Sequence, residues 1–180
     1  MKAIPEPRPL FKTDQYLDAV WSLAFEAYHM KKFADLWKES DVERRKLKTP
    51  KERTYFNQLF ESACFIHLRN VLYFFYFPPK QPLADDVLLS DFKPVLTNFK
   101  LPPNFKAPQA KKNLDKRVAH LTLGRRSGQP GVNLYFMCSE GLHDAVEAFV
   151  AALRDDLKKA FNVRMAAFID RDRNVAPIEF

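Results

Sequence analysis

Glycine and cysteine are scarce in this chain, and each scarcity excludes a class of protein. Only 4 of the 180 residues are glycine, and apolar residues do not alternate regularly with polar ones, so a β-sandwich is not expected. The 2 cysteines set no disulfide framework and suit a reducing cytoplasm. Glycine-rich phosphate loops, the Gly-x-Ser-x-Gly elbow and Cys-x-x-Cys pairs are missing, which disfavours nucleotide-binding folds and common hydrolases.

Long hydrophobic runs are missing as well. The N-terminal stretch MKAIPEPRPLF has no apolar segment of the kind that a secretory signal needs. The apolar run 71–77 is too short to span a bilayer. We therefore expect a cytoplasmic protein with no membrane partner.

Aromatic residues, by contrast, are abundant. The chain contains 17 Phe and is 47% hydrophobic, which argues against disorder, and its length is sufficient for one hydrophobic core. Prolines cluster at 5–9, 78–82 and 102–108, where they separate helices. We predict an all-α fold, a single domain over residues 1–180 built as a bundle of roughly four to five helices.

The hydrophobic periodicity predicts the bounds of these elements. The expected helices are 13–37, 49–77, 85–92, 108–126 and 139–161. A charged connector, 38–48, is either a short helix or a solvated loop, and 132–137 is either extended or leads into the next helix. Residues 1–12 are expected to form an N-terminal arm, 100–107 a loop, and 163–180 a loosely packed tail.

The segment 49–77 is predicted to be the long central helix. Thr49, Pro50 and Glu52 form a capping-box start, and the Pro78-Pro79 pair ends the helix. Apolar residues occupy most of its circumference, so burial is expected at Phe56, Phe60, Leu68, Leu72 and Phe74.

Positive charge is concentrated between Lys100 and Arg126. This stretch holds eight Lys or Arg against one acid, while the whole chain has a formal charge of +7. Such a segment fits RNA or another anionic partner. The binding residues expected from it are Lys111, Lys112, Asn113, Lys116 and Arg125.

A candidate catalytic pair lies in the same segment. Arg117 and His120 fall on a shared helical face, and an Arg one turn before a His can bind a phosphate and move a proton near neutral pH. In the alternative interpretation, these residues tie the helix to a neighbour through hydrogen bonds.

The central helix contributes further candidates. Arg69 lies in a stripe with several Tyr, among them Tyr73. Such a stripe can stack on bases or bind a phosphate, form the amphipathic outer side of a long helix, or form a subunit contact. The last interpretation predicts a homodimer. His67 lies on another, apolar face, where it is either a hydrogen-bonded core residue or a binding residue.

Two Glu-x-x-His pairs, Glu26–His29 and Glu140–His143, have a spacing that di-metal helical bundles use. In such bundles the ligands point inward, but the helical period places Glu26 and Glu140 opposite the apolar faces of their helices. We therefore expect no metal site and no cofactor.

The phrase NLDKRVAHLTLGR (113–125), after an HLRNVLYFFY helix and a DDVLLSDF segment, resembles small uncharacterised bacterial helical proteins. More distantly, residues 55–125 are similar to the HEPN superfamily of helical bundles, many of which are metal-independent RNases or toxin partners. The resemblance implies a HEPN-like helical fold.

The HEPN motif is an Arg followed, after four to six residues, by a His. Arg69-Asn70 matches its first half, but Phe74, Phe75 and Tyr76 stand where the His belongs. Arg117 precedes His120 too closely. The resemblance therefore implies the fold alone. We expect a non-enzymatic binding or interaction module, and the alternative is a metal-independent RNA-binding protein or RNase that uses the basic helix.

Overall fold

The computed structural model of the chain describes residues 12–46, 49, 63, 65–81, 83, 86–104, 107–114 and 131–174. Most of these residues are helical and none of them belongs to a β-strand, so the predicted all-α fold is confirmed. The elements are α1 (Thr13–Lys46), α2 (65–76), a 3-10 helix (Leu89–Val95), α3 (Ala107–Leu114), α4 (Gly131–Ala152) and α5 (Asp155–Asn174).

One hydrophobic cluster takes buried side chains from all of these helices. Phe149 of α4 is fully enclosed at its centre. Its ring makes edge contacts with those of Phe74, Phe75, Phe92 and Phe99. These four residues come from α2, the 3-10 helix and the loop after it, so Phe149 joins three parts of the chain into one core.

Helices α1 and α5 pack side by side and run parallel. Arg164 lies over the ring of Trp21, Phe168 contacts Phe25, and Tyr28 donates a hydrogen bond to Asp172. Each step of about one turn along α1 is matched by an equal step along α5, so the two helices run in the same direction and keep one register over this contact.

The junction between α4 and α5 differs from the prediction of one helix over 139–161. The helix is interrupted at Leu153 and Arg154, because their backbone pairs with the segment after the 3-10 helix. The Thr97 amide donates to the Ala152 carbonyl at 2.8 Å, and the Arg154 amide donates to the Val95 carbonyl at 2.9 Å. Helix α5 then begins at Asp155, whose carboxylate interacts favourably with the positive N-terminal end of the helix dipole.

Other boundaries also differ. Helix α1 continues through the connector 38–48 as far as Lys46, since Lys, Glu and Arg are good helix formers and no Gly or Pro intervenes. Helix α4 begins at Gly131 and not at residue 139, so 132–137 is helical. The short helical piece expected at 85–92 is a 3-10 helix that begins at Leu89.

The expected loosely packed tail is, up to Asn174, the C-terminal half of α5. In this half Phe168 is buried, on the same face of α5 as Leu157 and Phe161 of the preceding turns. Because four of the five residues at 170–174 are charged, the sequence did not indicate that the helix continues through them. Residues 175–180 lie outside the described part of the chain.

The predictions for the central helix are confirmed in part. Leu68 and Leu72 are fully buried, but Phe74 is only half-buried, since it lies at the edge of the buried face of α2. Phe56, Phe60 and most of 49–64 lie outside the described residues. Within the described part of the chain, no helix is long and apolar enough to cross a membrane.

Candidate nucleic-acid interface and a histidine–glutamate cluster

Helix α2 carries polar side chains along both edges of its buried face. That face consists of Phe65, Leu68, Val71, Leu72 and Phe75. At about 100° per residue, Arg69 and Tyr73 fall at one edge and His67 falls at the other, with Asn70 on the exposed side between them. The helix therefore presents two separate polar groups to its neighbours.

The first group lies between α2 and α3. Arg69 and Tyr73 are one turn apart on α2, and the Arg69 guanidinium carbon lies 4.9 Å from the centroid of the Tyr73 ring. Lys111 of α3 places its ammonium 5.1 Å from the same centroid and 5.8 Å from that of Phe77. We call Arg69, Tyr73, Phe77 and Lys111 the Tyr73 surface.

The sequence of α3 explains why Lys111 reaches this surface. Ala107, Ala110 and Leu114 are buried, and their spacing defines the face of α3 that packs on the core. Lys111 follows Ala110 by one residue and lies at the edge of that face, half-buried, while Lys112 is exposed.

The Tyr73 surface unites three residues that the sequence suggested for binding, namely Arg69, Tyr73 and Lys111. Phe77 was missed, although it lies one turn beyond Tyr73 in the same stripe. An exposed cation–π contact contributes only ~0.5–1 kcal/mol to stability. The arrangement therefore matters more for binding than for stability, because two cations beside two partly exposed rings can bind a phosphate and stack a base.

The second group, which we call the His67 cluster, consists of Glu26, His29, His67 and Asn70. Nδ1 of His67 lies 2.7 Å from Oε2 of Glu26, and the amide of Asn70 donates to Oε1 of Glu26 at 3.0 Å. The rings of His29 and His67 are stacked with centroids 4.9 Å apart. Both carboxylate oxygens of Glu26 are therefore occupied by side chains of α2.

The partners of the two histidines determine their tautomers. A carboxylate and a backbone carbonyl can only accept, so Nδ1 of His67 donates to Glu26 and Nδ1 of His29 donates to the Phe25 carbonyl at 2.9 Å. The neutral rings then carry no proton on Nε2. Side-chain exposure is low, at 15% for His67 and 23% for Glu26.

This geometry agrees with the hydrogen-bonded core interpretation of His67, which ties α2 to α1. It also corrects the prediction that Glu26 lies opposite the packed face of its helix, because its carboxylate is hydrogen-bonded to α2. Glu26 lies at the edge of the face of α1 that meets α2, where a helical wheel without knowledge of the neighbour cannot distinguish it from a surface residue. Among the described residues, no group of three or more His, Cys, Asp or Glu side chains is arranged so that it could hold a metal ion.

Beside the His67 cluster, a tyrosine–carboxylate pair joins α1 to α5. Burial, followed by the hydrogen bond to Asp172, raises the pKa of Tyr28 to about 12. The same hydrogen bond, and then the charge of Lys32 at 3.5 Å, lowers the pKa of Asp172. The pair stabilises the helix contact and leaves the proton on Tyr28 at neutral pH.

The remaining predicted site residues lie outside the described part of the chain. They are Lys116, Arg117, His120 and Arg125, together with the side chain of Asn113. The catalytic interpretation of Arg117 and His120 stays a prediction.

Comparison with known proteins adds no relative. No protein-family model, no curated protein and no solved structure matches this chain.

Proposed function

We propose that this chain is a non-enzymatic binding module for single-stranded RNA, and that the Tyr73 surface is its contact site. The proposal rests on one observation: cations from two helices lie beside the same partly exposed ring, with Arg69 4.9 Å and Lys111 5.1 Å from the Tyr73 centroid.

Charge supports an anionic partner. Lys111 and Lys112 lie within 100–126, where eight basic residues stand against one acid. Single-stranded nucleic acid is favoured over duplex because the rings of Tyr73 and Phe77 need unpaired bases to stack on. We propose further that the protein acts in the cytoplasm, a reducing environment that suits its 2 cysteines.

The absence of an intact Arg-x4–6-His motif supports binding without cleavage. The positions after Arg69 where the His would stand hold Phe74, Phe75 and Tyr76. His67, the histidine nearest to the Tyr73 surface in sequence, is turned toward Glu26 at 2.7 Å.

Fluorescence anisotropy with a labelled single-stranded RNA of about 12 nucleotides tests the proposal. Tyr73→Ala should weaken binding by about 5- to 100-fold, as loss of a stacked base predicts, whereas Tyr73→Phe keeps the ring and should bind like the wild type. If Arg69, Lys111 and Lys112 each contact a phosphate, log K should fall with log salt at a slope of about −2. Lys111→Ala should reduce this slope by about 0.7.

Lys93→Ala is the matched control, since Lys93 is exposed on the 3-10 helix and takes no part in the Tyr73 surface. Melting curves of each variant separate loss of binding from loss of folding. Equal affinity for RNA in wild type and Tyr73→Ala would refute the proposed site. Metal-free cleavage of the RNA that depends on His120 would refute the non-enzymatic part and establish the RNase alternative.

A further inference from the structure

A concave pocket lies between the C-terminal end of α2 and the 3-10 helix, and it shares no residue with the Tyr73 surface. Its volume is about 530 Å³, within the range of ~300–1,000 Å³ that small-molecule sites occupy. Seven of its ten lining residues are apolar, and three of these are Phe74, Phe75 and Phe99. The remaining three are Ser90, Lys93 and Asn98. We call this cavity the Phe99 pocket.

The hydrophobic core holds the walls of the Phe99 pocket in place. The rings of Phe74, Phe75 and Phe99 all make edge contacts with one fully buried ring of α4. The 3-10 helix is anchored by Phe92, which is fully buried, and two backbone hydrogen bonds tie the segment after it to the junction of α4 and α5. The pocket is therefore preformed, and a ligand would not have to order its walls on binding.

The apolar lining determines the body of the ligand. Phe74, Leu89, Leu96 and Phe99 pack against the core but stay half-buried, so part of their apolar surface faces the pocket and would be covered by an apolar ligand. Phenylalanine rings contact another ring in offset-stacked or edge-to-face arrangements, and such pairs add to the stabilisation that burial of area gives. The lining therefore favours a ligand with an aromatic ring over an aliphatic chain of equal size.

The polar lining determines the charge of the ligand. Lys93 is exposed, none of the ten lining residues is acidic, and no carboxylate in the described part of the chain pairs with Lys93. Asp91, the nearest acid in sequence, accepts a hydrogen bond from the Leu88 amide at 2.8 Å. Ser90 and Asn98 add a hydroxyl and an amide, which can both donate to an anion. A carboxylate is the group that complements this set of donors.

We propose that the Phe99 pocket binds a small aromatic carboxylate. The ring system of the ligand lies among Phe74, Phe75 and Phe99, and its carboxylate pairs with Lys93 at the exposed side of the pocket. This site and the Tyr73 surface have no residue in common, so the proposal is independent of RNA binding.

A titration of the ¹⁵N-labelled chain with 1-naphthoate, followed by NMR, tests the proposal. The backbone amides of Ser90, Lys93 and Asn98 should shift together and saturate, with a dissociation constant of roughly 0.1–1 mM, as the affinity per atom of small ligands predicts. 1-Naphthalenemethanol keeps the rings but carries no charge, and it should bind about 3- to 5-fold more weakly. Decanoate keeps the charge but has no ring, and it should bind about 2- to 10-fold more weakly.

Lys93→Gln should weaken binding of 1-naphthoate by the same factor of about 3 to 5 and leave binding of the alcohol unchanged. Lys31→Gln is the matched control, because Lys31 is exposed on α1 and lines no part of the pocket. Phe99→Leu keeps an apolar side chain and should reduce the preference for 1-naphthoate over decanoate. Amide shifts that do not saturate or that lie outside the pocket would overturn the proposal. So would equal affinity of wild type and Lys93→Gln for 1-naphthoate, or decanoate binding as tightly as 1-naphthoate.

Discussion

Replacing Phe149 by Ala removes the ring that joins α2, the 3-10 helix and α4. The side chain is fully buried, and its centroid lies 5.1 Å from that of Phe92, 5.5 Å from Phe74 and 5.8 Å from Phe75. A Phe→Ala change in such a site destabilises by ~3–5 kcal/mol. Since whole domains are stable by only about 5–15 kcal/mol, the variant should lose a large part of its stability.

Urea unfolding followed by circular dichroism measures this loss. With a denaturant slope of about 2 kcal/mol per M, the midpoint should fall by roughly 1.5–2.5 M, and the slope itself should not change. Ile66→Ala is the matched control, because Ile66 is an apolar residue of α2 that is 47% exposed, and it should shift the midpoint little. A loss below about 1 kcal/mol for Phe149→Ala would show that this ring is not enclosed as described.

Three further substitutions test side-chain contacts. Tyr28→Phe should lower stability by ~1–3 kcal/mol. The pKa of Tyr28 is raised from 10.0 to about 12. The contribution of its hydroxyl to the free energy of unfolding is therefore complete below pH 10 and is lost as the pH rises through 12. The variant should not show this loss. Glu26→Ala breaks two hydrogen bonds to α2 and should lower the free energy of unfolding by ~1–3 kcal/mol, whereas Glu147→Ala, which removes an exposed pair with a histidine on α4, should have no measurable effect. Arg154→Ala should leave the urea midpoint unchanged, because its bidentate pair with an aspartate is exposed to solvent.

Local sequence signals predicted the parts of the fold that depend on local physics. The hydrophobic periodicity predicted a helix that begins at residue 13, and α1 begins at Thr13. The end of α2 at residue 76 follows from the Pro78-Pro79 pair. The break at Leu153 has no Gly or Pro to mark it, since it arises from backbone bonds to Val95 and Thr97, which are distant in sequence.

In the candidate site too, local sequence predicts some contacts, whereas others depend on how the helices pack. Arg69 and Tyr73 are four residues apart, so their shared face can be read from the helical period. The position of Lys111 beside Tyr73 cannot be predicted in this way, because it depends on how α3 packs against α2. Glu26 and His67 are separated by 41 residues, and each lies at the edge of its own helix, where periodicity alone assigns no partner.

Photo-crosslinking tests the central claim, RNA binding at the Tyr73 surface, most directly. A single-stranded RNA carrying 4-thiouridine is irradiated on the folded protein, and the attached peptides are identified by mass spectrometry. The proposal predicts crosslinks in the peptide that contains Tyr73 and Phe77 and in the peptide that contains Lys111, and both should be weaker in Tyr73→Ala. Crosslinks confined to α5, or equal labelling of wild type and Tyr73→Ala, would contradict it.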